Sequence, residues 1–303
     1  MSIIGAQDVA PESRRGRSVL VAALRHWLFA WGPALPIILV SISLLVIPCL
    51  ILIRGSFADA TGSGFTLSNW SDVLSSRSAR QAILNSILLA ATVASIATIV
   101  GTPLTWLITK MGHASRIFNL GLLTVAQNFS GIGLAFGFMA TLGAYGMITL
   151  AMRSLGLDFA PPPPSSFWGF VIAYEYSFVP MFVLLTLPAV ALIRDDWWEA
   201  CQCCGASRRQ FWQYVGLPVL LPYIGAGWIL IFTSSLSLYG LPIALSSEGR
   251  PAYPLITLDM SRTMLGSLFG NNRMPVMASL LMIFAFVSLL FYRILLKRGA
   301  RWL

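Results

Sequence analysis

Long uncharged runs alternate with short polar stretches along most of this chain. No charge falls between Arg80 and Lys110, and none between Ile117 and Met152. A helix of about 20 apolar residues crosses a hydrocarbon core of about 30 Å. The runs therefore predict six crossings, at about 32–53, 81–109, 117–143, 167–193, 218–243 and 275–292. The 117–152 stretch is too long for one straight helix and too short for two with a turn. Its middle, Gln127 to Gly133, is polar and glycine-rich, which predicts a locally irregular helix followed by a short external helix near 144–156. Four prolines, Pro161 to Pro164, enforce an extended connection. Polar segments at about 54–80 and 244–274 read as external connections, and 194–217 reads as a polar loop between the fourth and fifth crossings.

Composition agrees with a bilayer. The 303 residues are 57% hydrophobic and 10% charged, against about 25% charged in soluble domains. The predicted fold is all-α, a polytopic membrane bundle with a transmembrane domain over 32–303. A cytoplasmic tail, 1–31, precedes it, carrying Arg14, Arg15, Arg17 and Arg25 and interfacial Trp27 and Trp31. The apolar run behind that tail is too long for a signal-peptide core, so the first crossing is expected to stay. A net charge of +9 could suggest nucleic acid. Its distribution points to topology instead, because 13 of the 20 Lys and Arg residues fall on the side that holds both termini and the 194–217 loop. The positive-inside rule makes that side cytoplasmic, in an inner membrane, with lipid as the surrounding partner.

Several chemistries drop out. The only lysines, Lys110 and Lys297, sit in no phosphate-wrapping Gly-Lys-Ser/Thr loop. The two histidines, His26 and His113, build no His-Glu-x-x-His helix, and no serine stands in a nucleophile elbow. Gly131, Gly133 and Gly137 have the look of a dinucleotide fingerprint but lack a preceding strand. Gly133 and Gly137 suit close helix packing, such as at a seam between subunits. Cys201, Cys203 and Cys204 crowd one loop and cannot all face one ion on a regular helix, so they read as packing residues, with no metal expected. The chain is expected to be a transport protein rather than an enzyme.

The 194–217 loop carries Glu199-Ala200, then Gly205, then Val215, Leu217 and Pro218. That spacing resembles the cytoplasmic signature of the permease subunits of ATP-binding-cassette importers, with Cys201 in place of a second alanine. The similarity extends over residues 80–296. It implies a pair of short helices that fit a groove in a separate ATPase subunit. Glu199 would pair with a basic partner residue, Ala200 would pack, Gly205 would form the bend, and Leu217 and Pro218 would lead rigidly into the fifth crossing. It further implies two nucleotide-binding subunits that hold ATP and magnesium, a second permease of the same or homologous sequence, and an external solute-binding protein. Leu238 to Pro242 and Tyr253 to Leu255 are similar to the branch that serves polyamines, iron(III) and aminophosphonates.

Candidates for the pathway come from polar residues inside spans. Glu175, between Tyr174 and Tyr176, is a carboxylate in a crossing, which costs about 2.5–3.5 kcal/mol unless it faces the interior or water. It would attract a cationic solute, or it would make a structural hydrogen bond between helices; the sequence leaves both open. Gln127, Asn128 and Ser130, and Ser234, Ser235, Ser237 and Tyr239 in the fifth crossing, are further polar candidates. The rival to a permease is a self-sufficient carrier or channel using Glu175 as an ion site.

Overall fold

A computed structural model describes residues 34–59, 64–156, 161–246, 253–266 and 273–299. The tail with Trp27 and Trp31 lies outside them, as do Glu248, Arg250, Asn271, Asn272 and Arg301. The chain divides into two compact units, Met1–Gly55 and Ser56–Leu303. The first holds α1 (Leu35–Ser56) up to its last residue; the helix begins with Pro36 in its opening turn, where a missing N–H costs nothing, and contains one π-helical turn at Ile42–Val46.

In the second unit a short α2 (Ser68–Ser75) precedes α3 (Arg77–Lys110). Then come α4 (His113–Asn128), α5 (Ile132–Leu142), α6 (Met147–Ser154) and α7 (Phe167–Val190). The remainder is α8 (Asp195–Cys203), α9 (Arg208–Phe211), α10 (Leu217–Ser237), α11 (Gly240–Leu245), α12 (Ile256–Gly266) and α13 (Arg273–Gly299). Among the described residues six stretches are long and apolar enough to cross a membrane: Leu35–Ser56, Arg77–Lys110, Ile132–Ser154, Phe167–Val190, Arg208–Ser237 and Arg273–Gly299.

The core lies where α3, α7 and α10 meet. Helix association in lipid depends on close packing rather than on expelling water, so small residues decide which faces touch. Ala90, Ala94 and Ala97 of α3 are wholly buried. Phe182 of α7 fills the space between two glycines on its neighbours. A Cβ on Gly101 would lie 2.5 Å from its ring, and one on Gly227 would lie 2.9 Å from it. One turn away, the hydroxyls of Thr105 and Thr186 meet at 3.1 Å, and Trp228 Nε1 donates to Ser95 Oγ at 3.2 Å.

Three parts depart from the sequence expectation. The stretch predicted as one irregular crossing at 117–143 is two helices, with a complete break at Phe129–Gly131. Here Gly131 takes φ +75°, which ends one helix and starts the next. The 16 residues of α4 extend only about 24 Å, and the apolar stretch of crossing length is Ile132–Ser154. Next, the polar connection after the fifth crossing returns to the bundle. Leu255, Ile256 and Leu258 are buried, Ile256 N donates to Ser86 Oγ at 2.9 Å, and Asn85 Nδ2 reaches Pro254 O at 3.2 Å.

The third departure concerns the fifth crossing, predicted to begin at Pro218. Its helix runs on from Arg208 through a π-helical turn, Trp212–Gly216, into α10. Pro218 offers no N–H to the turn before it, and the wider turn absorbs the mismatch, with Leu217 N–H reaching Trp212 O. Leu217 and Pro218 therefore lie within a continuous helix rather than at a rigid entry.

Candidate functional site

The loop between α7 and α10 is built from local signals. Helix α8 stops where Gly205 adopts φ +75°. Gly205 N donates to Gln202 O at 2.8 Å and Ala206 N to Cys201 O at 3.0 Å, the paired bonds of a Schellman cap. Two residues later Ser207 caps α9: Gln210 N donates to Ser207 Oγ at 3.4 Å, and Ser207 N donates to Gln210 Oε1 at 2.8 Å. The result is a helix–turn–helix whose corner is set by hydrogen bonds within the loop itself.

Packing then fixes the loop to the spans. Trp197 and Trp198 of α8 are half-buried against Val190, Ile193, Phe211 and Leu220. The rings of Trp198 and Phe211 meet edge-on at 5.4 Å, and Trp106 near the end of α3 meets Trp212 edge-on at 4.8 Å. Glu199, Ala200 and Gly205 are exposed, and a Cβ at Gly205 would touch nothing. The tip therefore presents one charged, small-residue surface to solvent, while its tryptophan side is fastened to three crossings. Leu217 is also exposed and Pro218 half-buried, but both stand on α10 beyond the turn. Cys201 is half-buried in the aromatic cluster, whereas Cys203 and Cys204 are exposed. Among the described residues no group of His, Cys, Asp and Glu could hold a metal.

Glu175 lies in α7 with both carboxylate oxygens buried and without a hydrogen-bond partner among the described residues. Tyr174 and Tyr176 do not close on it as a pair. Successive helical residues point about 100° apart, so the two rings leave α7 on different sides. Tyr174 is buried and stacks on Phe178 at 5.7 Å; Tyr176 is exposed and meets Phe138 of α5 edge-on at 6.3 Å.

Two hydroxyls not singled out as partners of Glu175 share its condition. Ser177 on α7 and Ser235 on the adjoining α10 are buried with no hydrogen-bond partner among the described residues. Ser177, two residues along α7, leaves the helix on a different side from Glu175, by the same geometry that parts the two tyrosines. Ser237 is satisfied by its own helix, donating to Thr233 O at 3.1 Å, and Tyr239 is exposed.

Asn128 and Ser130 stand exposed at the α4–α5 break, with Asn128 Nδ2 donating to Thr124 O at 2.8 Å and Gln127 half-buried. Gly133 and Gly137 are also exposed, and a Cβ on either would meet nothing within 4 Å. They close no helix contact among the described residues.

No family model matches the sequence. Over 200 residues it is 23% identical to the spermidine/putrescine transport system permease protein PotB of Haemophilus influenzae, covering 64% of this chain and 70% of that one. Over 166 residues it is 29% identical to the sulfate transport system permease protein CysT of Salmonella typhimurium, covering 53% of this chain and 57% of the relative. The fold is that of a chain in a bacterial transporter that imports the acidic polysaccharide alginate, with a TM-score of 0.68 at 16% identity over 94% of this chain and 99% of that one. A chain from the alginate transporter in complex with a pentasaccharide-bound periplasmic protein superposes with a TM-score of 0.65 at 18% identity, over 91% and 95% of the two chains.

Proposed function

We propose, on the premise that the chain belongs to the permease subunits of ATP-binding-cassette importers, that it lines a pathway for a small cationic solute and is moved by separate ATPases through its α8–α9 loop. The observation that carries the reading is the loop. Its tip exposes Glu199, Ala200 and Gly205, while Trp197, Trp198, Phe211 and Trp212 tie it to the ends of α3, α7 and α10. A force applied at that tip reaches three crossings through rigid rings. Two ATPases binding ATP and magnesium at the inner face supply the free-energy difference between the inward- and outward-facing states. An external solute-binding protein delivers the solute, and a second permease completes the pathway. The exposed face of α5 with Ile132, Gly133, Phe136 and Gly137 fits that second permease, because small residues open to the outside let another backbone approach. The inner membrane, with both termini in the cytoplasm, is the setting this requires.

For the solute, Glu175 favours a cation. A buried carboxylate without a hydrogen bond gains most from a positive charge brought to it. A polyamine-like amine suits this better than sulfate or an acidic sugar, both of which a lone carboxylate repels; an aminophosphonate would meet it through its ammonium end. The rival in which Glu175 serves a self-sufficient carrier leaves the capped loop without a role.

Reconstitution tests the reading. Proteoliposomes holding this permease with its ATPase and binding protein are expected to take up a radiolabelled polyamine only when ATP is supplied, and Glu175→Gln to lower that uptake about tenfold or more. Uptake by the permease alone would replace this reading with the carrier.

A further inference from the structure

The tryptophan side of the α8–α9 loop encloses a pocket that the transport reading leaves unused. Its walls are Trp106, Trp198, Phe211 and Trp212, and its polar lining is Lys110, Arg194 and Arg208. Among the described residues no carboxylate lines it. We infer that this pocket holds the phosphate headgroup of an anionic membrane lipid.

The position argues for lipid. Lys110 is the last residue of α3, Arg194 follows the end of α7, and Arg208 opens the helix that becomes α10. Three crossings thus end around one cavity walled by tryptophans, the residues enriched where a bilayer meets its headgroups. Basic pockets between membrane helices are suited to anionic headgroups, since each Lys or Arg there gains from the surface charge of the leaflet.

The walls are fixed in advance. Trp106 and Trp212 meet at 4.8 Å, and Phe211 touches Trp212 at 5.8 Å. The Lys110 ammonium lies 5.0 Å from the Trp106 ring, one turn back along the same helix. Asp196 pairs with Arg194 from outside the pocket; Lys110 and Arg208, at the ends of two different crossings, are the cations to vary.

An acidic side chain of a docked protein is the other source of negative charge, but the geometry favours it less. A partner seated on α8 meets exposed Glu199 and Ala200, whereas Trp198, which lines the pocket, is half-buried against the crossings. A headgroup in the pocket would bridge α3 to the moving loop, which makes the lipid part of the coupling path.

The test is native mass spectrometry of the full-length permease in detergent, offered phosphatidylglycerol, phosphatidylcholine or inorganic phosphate. The wild-type chain is expected to retain phosphatidylglycerol over phosphatidylcholine, and excess inorganic phosphate not to displace it. Lys110→Gln with Arg208→Gln should lower retention roughly tenfold or more, while Lys110→Arg with Arg208→Lys keeps it. Equal retention of the two lipids by the wild-type chain overturns the proposal without reference to any variant. So does unchanged retention in the glutamine variant. Displacement by inorganic phosphate would make this a soluble-anion site and would equally overturn it.

Discussion

Gly205 and Glu175 carry the sharpest expectations about single side chains. Gly205 has open space where a Cβ would go, so any harm from substitution comes from its φ of +75° and not from crowding. Gly205→Val should cost the loop about 1–2 kcal/mol and misplace its tip, abolishing ATP-dependent uptake while the permease still reaches the membrane. Gly205→Asn, which tolerates the left-handed region, should retain most of that uptake. Equal activity of the two variants would separate the corner from the mechanism. Phe182 shows the opposite case, a side chain that depends on glycines elsewhere. Gly101→Val would drive a branched side chain into its ring, where a single Cβ already comes to 2.5 Å. Overpacking of this kind costs about 1–3 kcal/mol. It should appear as a lower thermal midpoint of the detergent-solubilised chain, with Phe182→Leu on the Gly101→Val background recovering part of the loss.

Helices and caps set the next group of outcomes. The α9 cap joins Ser207 to Gln210 in both directions, and Ser207→Ala should cost about 1 kcal/mol. Arg208 and Arg209 stand directly behind that cap, so faster tryptic cleavage there in inside-out vesicles is the readout. Helix α10 behaves differently, because Pro218 is housed by the π-helical turn at Trp212–Gly216. Replacing it by Ala should allow the turn to relax to α-helical pairing and rotate α8 and α9 relative to α10. Distances between spin labels at Cys203 and a cysteine introduced on α10 should shift in Pro218→Ala. An unchanged distance would mean that packing by Trp106 and Trp212, rather than the proline, sets the turn.

On the proposed assembly with ATPases and a second permease, the capped loop predicts dependence on other chains. Stimulation of the partner ATPase by solute-loaded binding protein is expected to need Glu199, with Glu199→Arg leaving ATP hydrolysis at its unstimulated rate. An ATPase that responds equally to the variant would place the contact elsewhere on this surface. The open face of α5 belongs to the same question. Gly133→Trp should leave the single chain folded, since none of the described residues lies within 4 Å of that Cβ. It should shift the permease pair towards single subunits in size-exclusion chromatography.

Much of this molecule is written in short-range pattern. Uncharged runs specify the long apolar helices because backbone polar groups must be satisfied within the segment wherever water is absent. The corner at Gly205 follows from local rules of the same kind, since a glycine at that offset closes the cap with bonds inside its own loop. Other features depend on which distant residues arrive together. The polar Gln127–Gly133 stretch announces an irregularity, yet its becoming a full break rests on a backbone torsion at Gly131 that composition does not reveal. Tyr174 and Tyr176 flank Glu175 in sequence but are directed apart by the helix, one onto Phe178 and the other onto Phe138 of α5. The seat of Phe182 between Gly101 and Gly227, and the meeting of Lys110, Arg194 and Arg208 around one pocket, join residues far apart along the chain. Periodicity and charge act through neighbours on one helix, whereas contacts between helices depend on rotation and depth, which are set only when all the crossings pack at once.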